Sequence, residues 1–202
     1  MKIDLKRVND LTFLILAIPF WVPLIGAVAI TVRAKLGSPV FFRQRRPGLH
    51  GKPFQLVKFR TMTEEMDANG ALQPDAQRLT NFGRWLRRTS LDELPELWNV
   101  ITGEMSLVGP RPLLMQYLPR YTREQRRRHE VPPGLTGWAQ INGRNAIEWE
   151  EKFALDVWYV ENRSLMLDLR ILLLTLCRVF KQQDINAGNH ATMPEYHGPQ
   201  SR

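Results

Sequence analysis

LTFLILAIPFWVPLIGAVAITV, from Leu11 to Val32, decides the architecture: twenty-two residues without a charge. At about 1.5 Å per helical residue it is long enough for a hydrocarbon core of about 30 Å. It is too long for the apolar part of a signal peptide, and no small-residue cleavage site follows it. Pro19 and Pro23 fall in its middle, where each removes a helix hydrogen bond and kinks the chain. Lys2, Lys6 and Arg7 precede the stretch; Arg33 and Lys35 follow it. Basic flanks are drawn to the cytoplasmic face, so both ends are pulled to one side. A helix broken at its centre, entering and leaving by the same face, satisfies both observations. A kinked spanning helix and a long buried core helix are the alternatives.

The 202 residues suffice for one ordinary domain beside that anchor, and a hydrophobic content of 44% supports a real core. The net charge of +8 points to anionic partners: a membrane surface, nucleic acid or phosphorylated substrates. Cys177 is the single cysteine, which excludes an intramolecular disulfide and a cysteine-based zinc cluster. His50, His129, His190 and His197 show no metal-ligand spacing.

Downstream of the anchor, Gly37-Ser38-Pro39 breaks the helix. Val40-Phe41-Phe42 reads as a short strand, Arg43 to Gly48 as a turn, and Phe54 to Arg60 as a second strand, so a hairpin is expected from Val40 to Arg60. Lys58 and Arg60 then share one face; a solvated basic edge that resists aggregation is the plain alternative. Met66 to Asp75 is turn-rich and reads as a surface loop. Thr80 to Arg88 reads as a basic helix with Phe82 and Trp85, suited to an anionic lipid surface or to an ordinary solvated face.

The chemistry concentrates in Thr89-Ser90-Leu91-Asp92-Glu93-Leu94-Pro95-Glu96-Leu97. Ser90-x-x-Glu93 fits a capping box. Pro95 conflicts with it, because a helix capped by Ser90 needs a backbone N–H there. A helix starting nearer Asp92 puts Pro95 in the first turn. Asp92 and Glu93 would then sit at a helix mouth beside Arg84, Arg87 and Arg88, where a phosphate site can be assembled. Carboxylates repel phosphate, so such a site calls for a divalent cation, Mg²⁺.

Further along, Gly109-Pro110-Arg111-Pro112 is a rigid turn presenting a guanidinium able to grip a phosphate with two hydrogen bonds. Thr122-x-x-Gln125 can cap a helix bearing Arg123, Arg126, Arg127 and Arg128, read as a solvated or lipid-facing charged face. Gly134, Gly137 and Gly143 allow close backbone approach to a ligand, with Gln140, Asn142, Arg144 and Asn145 as donors to phosphate or sugar hydroxyls. The Gly-Lys-Ser/Thr ending of a P-loop is absent. Trp149 to Tyr159 reads as a helix in which Asp156 is either a paired structural acid or a third acid of the site. Leu165 to Phe180 reads as a core or interfacial helix, and the polar tail from Gln183 as poorly ordered.

In order, Arg45-Arg46-Pro47-Gly48, Lys58-Phe59-Arg60-Thr61-Met62, Asp67-Ala68-Asn69-Gly70, Ser90-Leu91-Asp92-Glu93-Leu94-Pro95, Gly109-Pro110-Arg111-Pro112, Pro133-Gly134-x-Thr136-Gly137 and Asn142-Gly143-Arg144-Asn145 resemble the monotopic phosphoglycosyl transferases. These are the bacterial initiating sugar transferases of capsule, O-antigen and N-glycan pathways, and the size resembles their minimal, PglC-like subclass. The resemblance covers nearly the whole chain. It implies an α+β, helix-rich fold: a re-entrant membrane hairpin (1–36), a small cytoplasmic catalytic domain with short strands and interfacial amphipathic helices (37–182), and a polar tail (183–202). It implies Mg²⁺, and transfer of a sugar-1-phosphate from a UDP-sugar to polyprenol phosphate at the cytoplasmic face of the inner membrane. Anionic lipids and downstream glycosyltransferases are the further partners it suggests; nucleic acid is not one. Asp92 would be the nucleophile and Glu93 its partner, both as metal ligands. Lys58, Arg60, Arg111, Arg144 and Asp156 match further site positions. Val22 stands before Pro23 where the family commonly has serine, and Pro132 stands where it has arginine. The competing readings are a membrane-anchored scaffold, indifferent to changes at Asp92 and Glu93, and a basic nucleic-acid-binding domain, against which the absence of a helix-turn-helix, RNP or zinc-finger pattern speaks.

Overall fold

A computed structural model of the chain describes residues 5–143, 147–181 and 195–198, the side chains of 179–181 excepted. Two helices open it, α1 (Leu5–Leu16) and α2 (Ile18–Leu36). The chain breaks between them at Ala17, and Pro19 falls in the first turn of α2, where its missing N–H costs little. Pro23 lies inside α2 without interrupting it. The expectation of two central kinks is thus corrected to one break, upstream of both prolines. Trp21 turns its indole N–H back to the carbonyl of Leu14 at 2.9 Å, filling a hydrogen bond that the break leaves open. Around the break Ile15, Leu16, Ile18 and Phe20 are exposed. Among the described residues, one helix, α2, is long and apolar enough to cross a membrane.

Both far ends of this pair meet the same globular body. Lys6 pairs with Asp168 at 2.5 Å, Arg7 donates to the carbonyls of Val100 and Ile101, and Asp10 accepts from Ser106 at 2.7 Å. At the other end Arg60 donates to the carbonyl of Leu36, while Val28 and Val32 pack with Phe59 and Leu86.

The body opens with an antiparallel hairpin, β1 (Phe41–Pro47) and β2 (Pro53–Phe59), registered Phe41 to Phe59. The first strand runs on through Arg43–Arg46, which were expected as turn. Alternate positions there carry arginines that an edge strand tolerates, and the reversal waits until Gly48. After a short α3 (Asp75–Arg78) comes α4 (Asn81–Arg88), capped by Thr80. A Cβ at Gly83 would fall 1.8 Å from the Thr61 carbonyl oxygen, so α4 presses directly on the backbone just beyond β2.

Next come α5 (Glu96–Thr102) and β3 (Ser106–Val108). The capping box of Thr122 and Gln125 forms as expected, opening α6 (Arg123–Arg126). Then follow β4 (Gly134–Thr136), α7 (Trp138–Ile141), α8 (Trp149–Asn162) and α9 (Leu165–Lys181). β3 and β4 pair in parallel, Ser106 with Gly134 and Val108 with Thr136. Of the glycines expected to admit a ligand, Gly134 and Gly137 instead admit backbone, and Gly143 abuts the Ile147 side chain. A Cβ at Gly134 would meet the Gly109 nitrogen at 2.0 Å, and one at Gly137 the Gly109 carbonyl oxygen at 2.2 Å.

The main core joins Leu14, Phe54 and Leu56, Leu97 and Val100, Leu107, Tyr159 and Ile171. A second, aromatic core gathers Tyr117, Tyr121, Phe153 and Tyr196. The tail was expected to be poorly ordered; Tyr196 within it is buried, and its hydroxyl donates to Gln125 at 2.9 Å.

Candidate active site

Asp92 and Glu93 lie in a single 3-10 turn, Leu91–Glu93, that leads through Pro95 into α5. The Ser90 capping box does not form. Ser90 sits in the left-handed region (φ 57°), and its side chain caps nothing. Pro95 is the reason, since it occupies the junction where the 3-10 turn ends and the helix begins.

Asn99 of α5 fixes this junction against β2. Its carboxamide accepts from the Val57 N–H at 3.2 Å and donates to the Gln55 carbonyl at 2.8 Å, imitating a neighbouring strand. The contact brings Lys58 over the acidic turn. Lys58 Nζ lies 2.8 Å from Glu93 Oε1 and 3.0 Å from Glu96 Oε1. From the Gly109–Pro112 turn Arg111 reaches the same carboxylate, one guanidinium nitrogen on each oxygen of Glu93. Glu93 is thereby held well below the usual carboxylate range: Arg111 and Lys58 outweigh the desolvation that would raise it.

Its neighbour is in the opposite condition. Asp92 is buried and has no hydrogen bond or ion pair among the described residues. Burial pushes its carboxyl up to about 6, the Glu93 charge adds to this, and Lys58, Arg111 and Arg87 pull the other way. Glu96, only 1% exposed, is pushed up to about 7, chiefly by burial. Sequence reasoning passed over Glu96; its signal was the Glu93-x-x-Glu96 spacing, which puts two acids on one side of a turn.

The structure gathers Lys58, Asp92, Glu93 and Arg111 at one turn, while Arg60 and Asp156 border the same cleft but are held by other partners. Arg60 caps the end of α2 and lies 3.6 Å from Glu64. Asn142 donates to the Trp138 carbonyl at the end of α7. Arg144 and Asn145 lie outside the described residues. Asp156 is gripped through Oδ2 by Arg128, at 3.0 Å from Nε and 2.7 Å from a terminal nitrogen, with both side chains almost fully buried. Arg128 is therefore not part of the solvated face expected for its run of arginines. It also donates to the Arg111 carbonyl at 2.8 Å, so the Asp156 pair holds the backbone that presents Arg111.

These groups open into a cleft of about 2270 Å³ whose other walls are apolar, with Phe13, Trp21, Leu24, Leu172 and Leu176 among them. It can receive a polar head and an apolar chain together. Among the described residues no three His, Cys, Asp or Glu cluster as a metal cage. Mg²⁺ needs none, because it is commonly held by one or two carboxylates with substrate phosphates and water. Asp92 fits that role; both oxygens of Glu93 are engaged by cations.

A buried carboxylate beside a clamped one, with lysine and arginine at hand, is a site equipped for phosphoryl transfer. The chain belongs to the bacterial sugar transferase family, which it matches over residues 1–182. It is 59% identical over 194 residues to the uncharacterized sugar transferase EpsL of Bacillus subtilis (strain 168), covering 96% of each chain. It is 41% identical over 189 residues to the UDP-glucose:undecaprenyl-phosphate glucose-1-phosphate transferase of Xanthomonas campestris pv. campestris, covering 88% of this chain and 39% of that one. A UDP-N-acetylgalactosamine-undecaprenyl-phosphate N-acetylgalactosaminephosphotransferase of Aeromonas hydrophila is 36% identical over 180 residues, 85% of this chain and 43% of its own. The chain spans about two fifths of the length of these last two relatives.

Proposed function

We propose that this protein transfers a sugar-1-phosphate from a UDP-sugar to undecaprenyl phosphate, releasing UMP, as the first membrane step of a bacterial glycoconjugate pathway. The observation that carries the reading is the unpaired, buried Asp92 beside a Glu93 fully clamped by Lys58 and Arg111. The relatives named for this reaction use different sugars, so the donor is left open.

Asp92, once ionised, attacks the sugar-bearing phosphorus of the donor. The bond from that phosphorus to the bridging oxygen breaks, and UMP leaves with the electron pair. The phosphosugar stays on the carboxylate as an acyl phosphate. An oxygen of undecaprenyl phosphate then attacks the same phosphorus and Asp92 leaves. Splitting the reaction means that two bulky substrates are never aligned at once. Glu93 keeps Lys58 and Arg111 facing the phosphoryl group, where their charge counts most in the transition state. Mg²⁺, held by Asp92 with Glu93 close by, would neutralise diphosphate charge.

The hairpin of α1 and α2 is proposed to enter the cytoplasmic leaflet of the inner membrane and return. The break at Ala17, its exposed apolar rim, and the attachment of both far ends to one body support this reading. The catalytic domain would then stand at head-group depth on the cytoplasmic side, where the lipid phosphate lies.

The test is UMP release from a panel of UDP-sugars in nanodiscs, with and without undecaprenyl phosphate and Mg²⁺, with intact mass recorded after donor alone. A phosphosugar adduct in wild type that vanishes in Asp92→Asn is the expected result. UMP release that survives in Asp92→Asn would remove Asp92 as nucleophile. Folded protein that releases no UMP from any donor would favour the scaffold reading.

A further inference from the structure

Residues 195–198 have no part in the mechanism above and lie beyond residues 1–182, over which the family matches. They are nonetheless seated in the body. Tyr196 is 1% exposed, and its ring meets four others. Phe153 and Tyr117 stand edge-on to it at 5.0 and 5.8 Å, and Trp149 and Tyr121 lie tilted at 5.5 and 6.0 Å. The Tyr196 carbonyl accepts from Arg120. Glu195 accepts from Gln116 and from Arg120, each at 2.8 Å. The Arg120–Glu195 pair is partly exposed and holds little by itself, so the buried ring is the anchor.

The seat of Tyr196 leads to the site. Phe153 and Tyr121 are also the rings that flank Arg128, whose guanidinium lies 5.6 Å from the centre of the first and 5.9 Å from that of the second. One terminal nitrogen of Arg128 donates to the Tyr121 hydroxyl at 3.3 Å, and the other donates to the Arg111 carbonyl at 2.8 Å. Arg111 in turn grips Glu93. A stack therefore runs from Tyr196 through two rings and Arg128 to the backbone that presents Arg111. Gln116, Tyr117, Trp149 and Glu195 border the cleft as well, so the segment stands at its rim. The aromatic cluster is separate from the main core of Leu14, Phe54, Val100 and Ile171. Removing the Tyr196 ring opens a gap that its aromatic neighbours can relax into, while the main core keeps its own contacts.

We propose, on the phosphotransferase reading above, that Tyr196 is a positioning residue for phosphoryl transfer. Its docked ring holds Tyr121 and Phe153 against Arg128 and so fixes the backbone that aims Arg111. A shift of about 1 Å in a catalytic group can cost about a hundredfold in rate, so a loosened stack is felt at the reacting phosphorus.

The experiment takes full-length protein in nanodiscs and reads two things: UMP release at saturating UDP-sugar, and backbone hydrogen exchange. Wild type is compared with Tyr196→Ala, Tyr196→Phe, Arg111→Lys and the double variant Tyr196→Ala with Arg111→Lys. Tyr196→Ala is expected to lower kcat about tenfold with KM within about twofold, and Tyr196→Phe, which keeps the ring, to recover most of the rate. With Arg111→Lys already present, Tyr196→Ala should cost less than about twofold, because the group being aimed is gone. Exchange over residues 108–114 should quicken about tenfold in Tyr196→Ala, while that of residues 97–100 in the main core stays as in wild type. An unchanged kcat, an equal loss in both Arg111 backgrounds, or equal quickening of exchange in the main core overturns the proposal. Failure of the phosphotransferase reading looks different: wild type releases no UMP from any donor, and the exchange comparison still reports whether Tyr196 holds the Arg111 backbone.

Discussion

Two buried carboxylate–cation groups lie within one cleft and behave oppositely. Arg128 and Asp156 satisfy each other: two guanidinium nitrogens hold one carboxylate oxygen, and the rest of Arg128 reaches the Tyr121 hydroxyl and the Arg111 carbonyl. Around the turn at Leu91–Glu93 and the start of α5 two cations serve three carboxylates, and Glu93 takes the larger share of both. Among the described residues Asp92 is left buried and unpaired, and Glu96 shares Lys58 with Glu93 through one oxygen. A closed pair supports architecture; an imbalance leaves a reactive group. Breaking the first should cost stability, and breaking the second should cost turnover.

The largest effect is expected from Asp92→Asn: loss of the donor step by about a thousandfold or more, with the melting temperature equal to wild type or higher. Rate and Tm measured on one preparation check it, and a Tm drop would place Asp92 with the structural groups. In wild type the same step should fall as pH drops through about 6, because the nucleophile must be ionised. Arg128→Met should do the reverse of Asp92→Asn. It strands Asp156 in the core, a loss of about 3–5 kcal/mol that denaturant unfolding would register. A milder loss would mean that water enters the pair.

Glu96→Gln sharpens the contrast through pH. The folded-state value of Glu96 stands near 7 against an ordinary 4.5. Its contribution to stability is therefore complete below about 4.5 and lost as pH rises to about 7. The Tm difference, variant minus wild type, should grow by a few degrees between pH 5 and pH 7; a flat difference would mean that Glu96 is ionised throughout. Smallest of all, Ser90→Gly should stabilise the fold by about 0.5–1 kcal/mol, since Ser90 holds a left-handed conformation that glycine adopts freely. If donor turnover falls at the same time, the strain at Ser90 serves to aim Asp92.

Much of this was legible in one dimension. The uncharged run of Leu11–Val32, the helices of α8 and α9 and the Thr122 cap depend on neighbours a few residues apart, so periodicity and capping signals report them. The adjacency of Asp92 and Glu93 is covalent, and the Gly-Pro-Arg-Pro turn around Arg111 stiffens itself. The partner of each charge was not legible. Nothing near Asp156 announces Arg128, twenty-eight residues away, and nothing near Asn99 announces that its carboxamide will join β2. The glycines at 134 and 137 announced a close approach without saying to what, and only the parallel pairing of β3 with β4, which brings Gly109 against them, answers. Sequence alone settled which groups are present and which stretch is long and apolar enough to cross a membrane, because composition and local spacing determine those. Tertiary structure alone decided which carboxylate is neutralised and which is left exposed to reaction, because ion pairing and desolvation depend on distances between segments that the chain order does not contain.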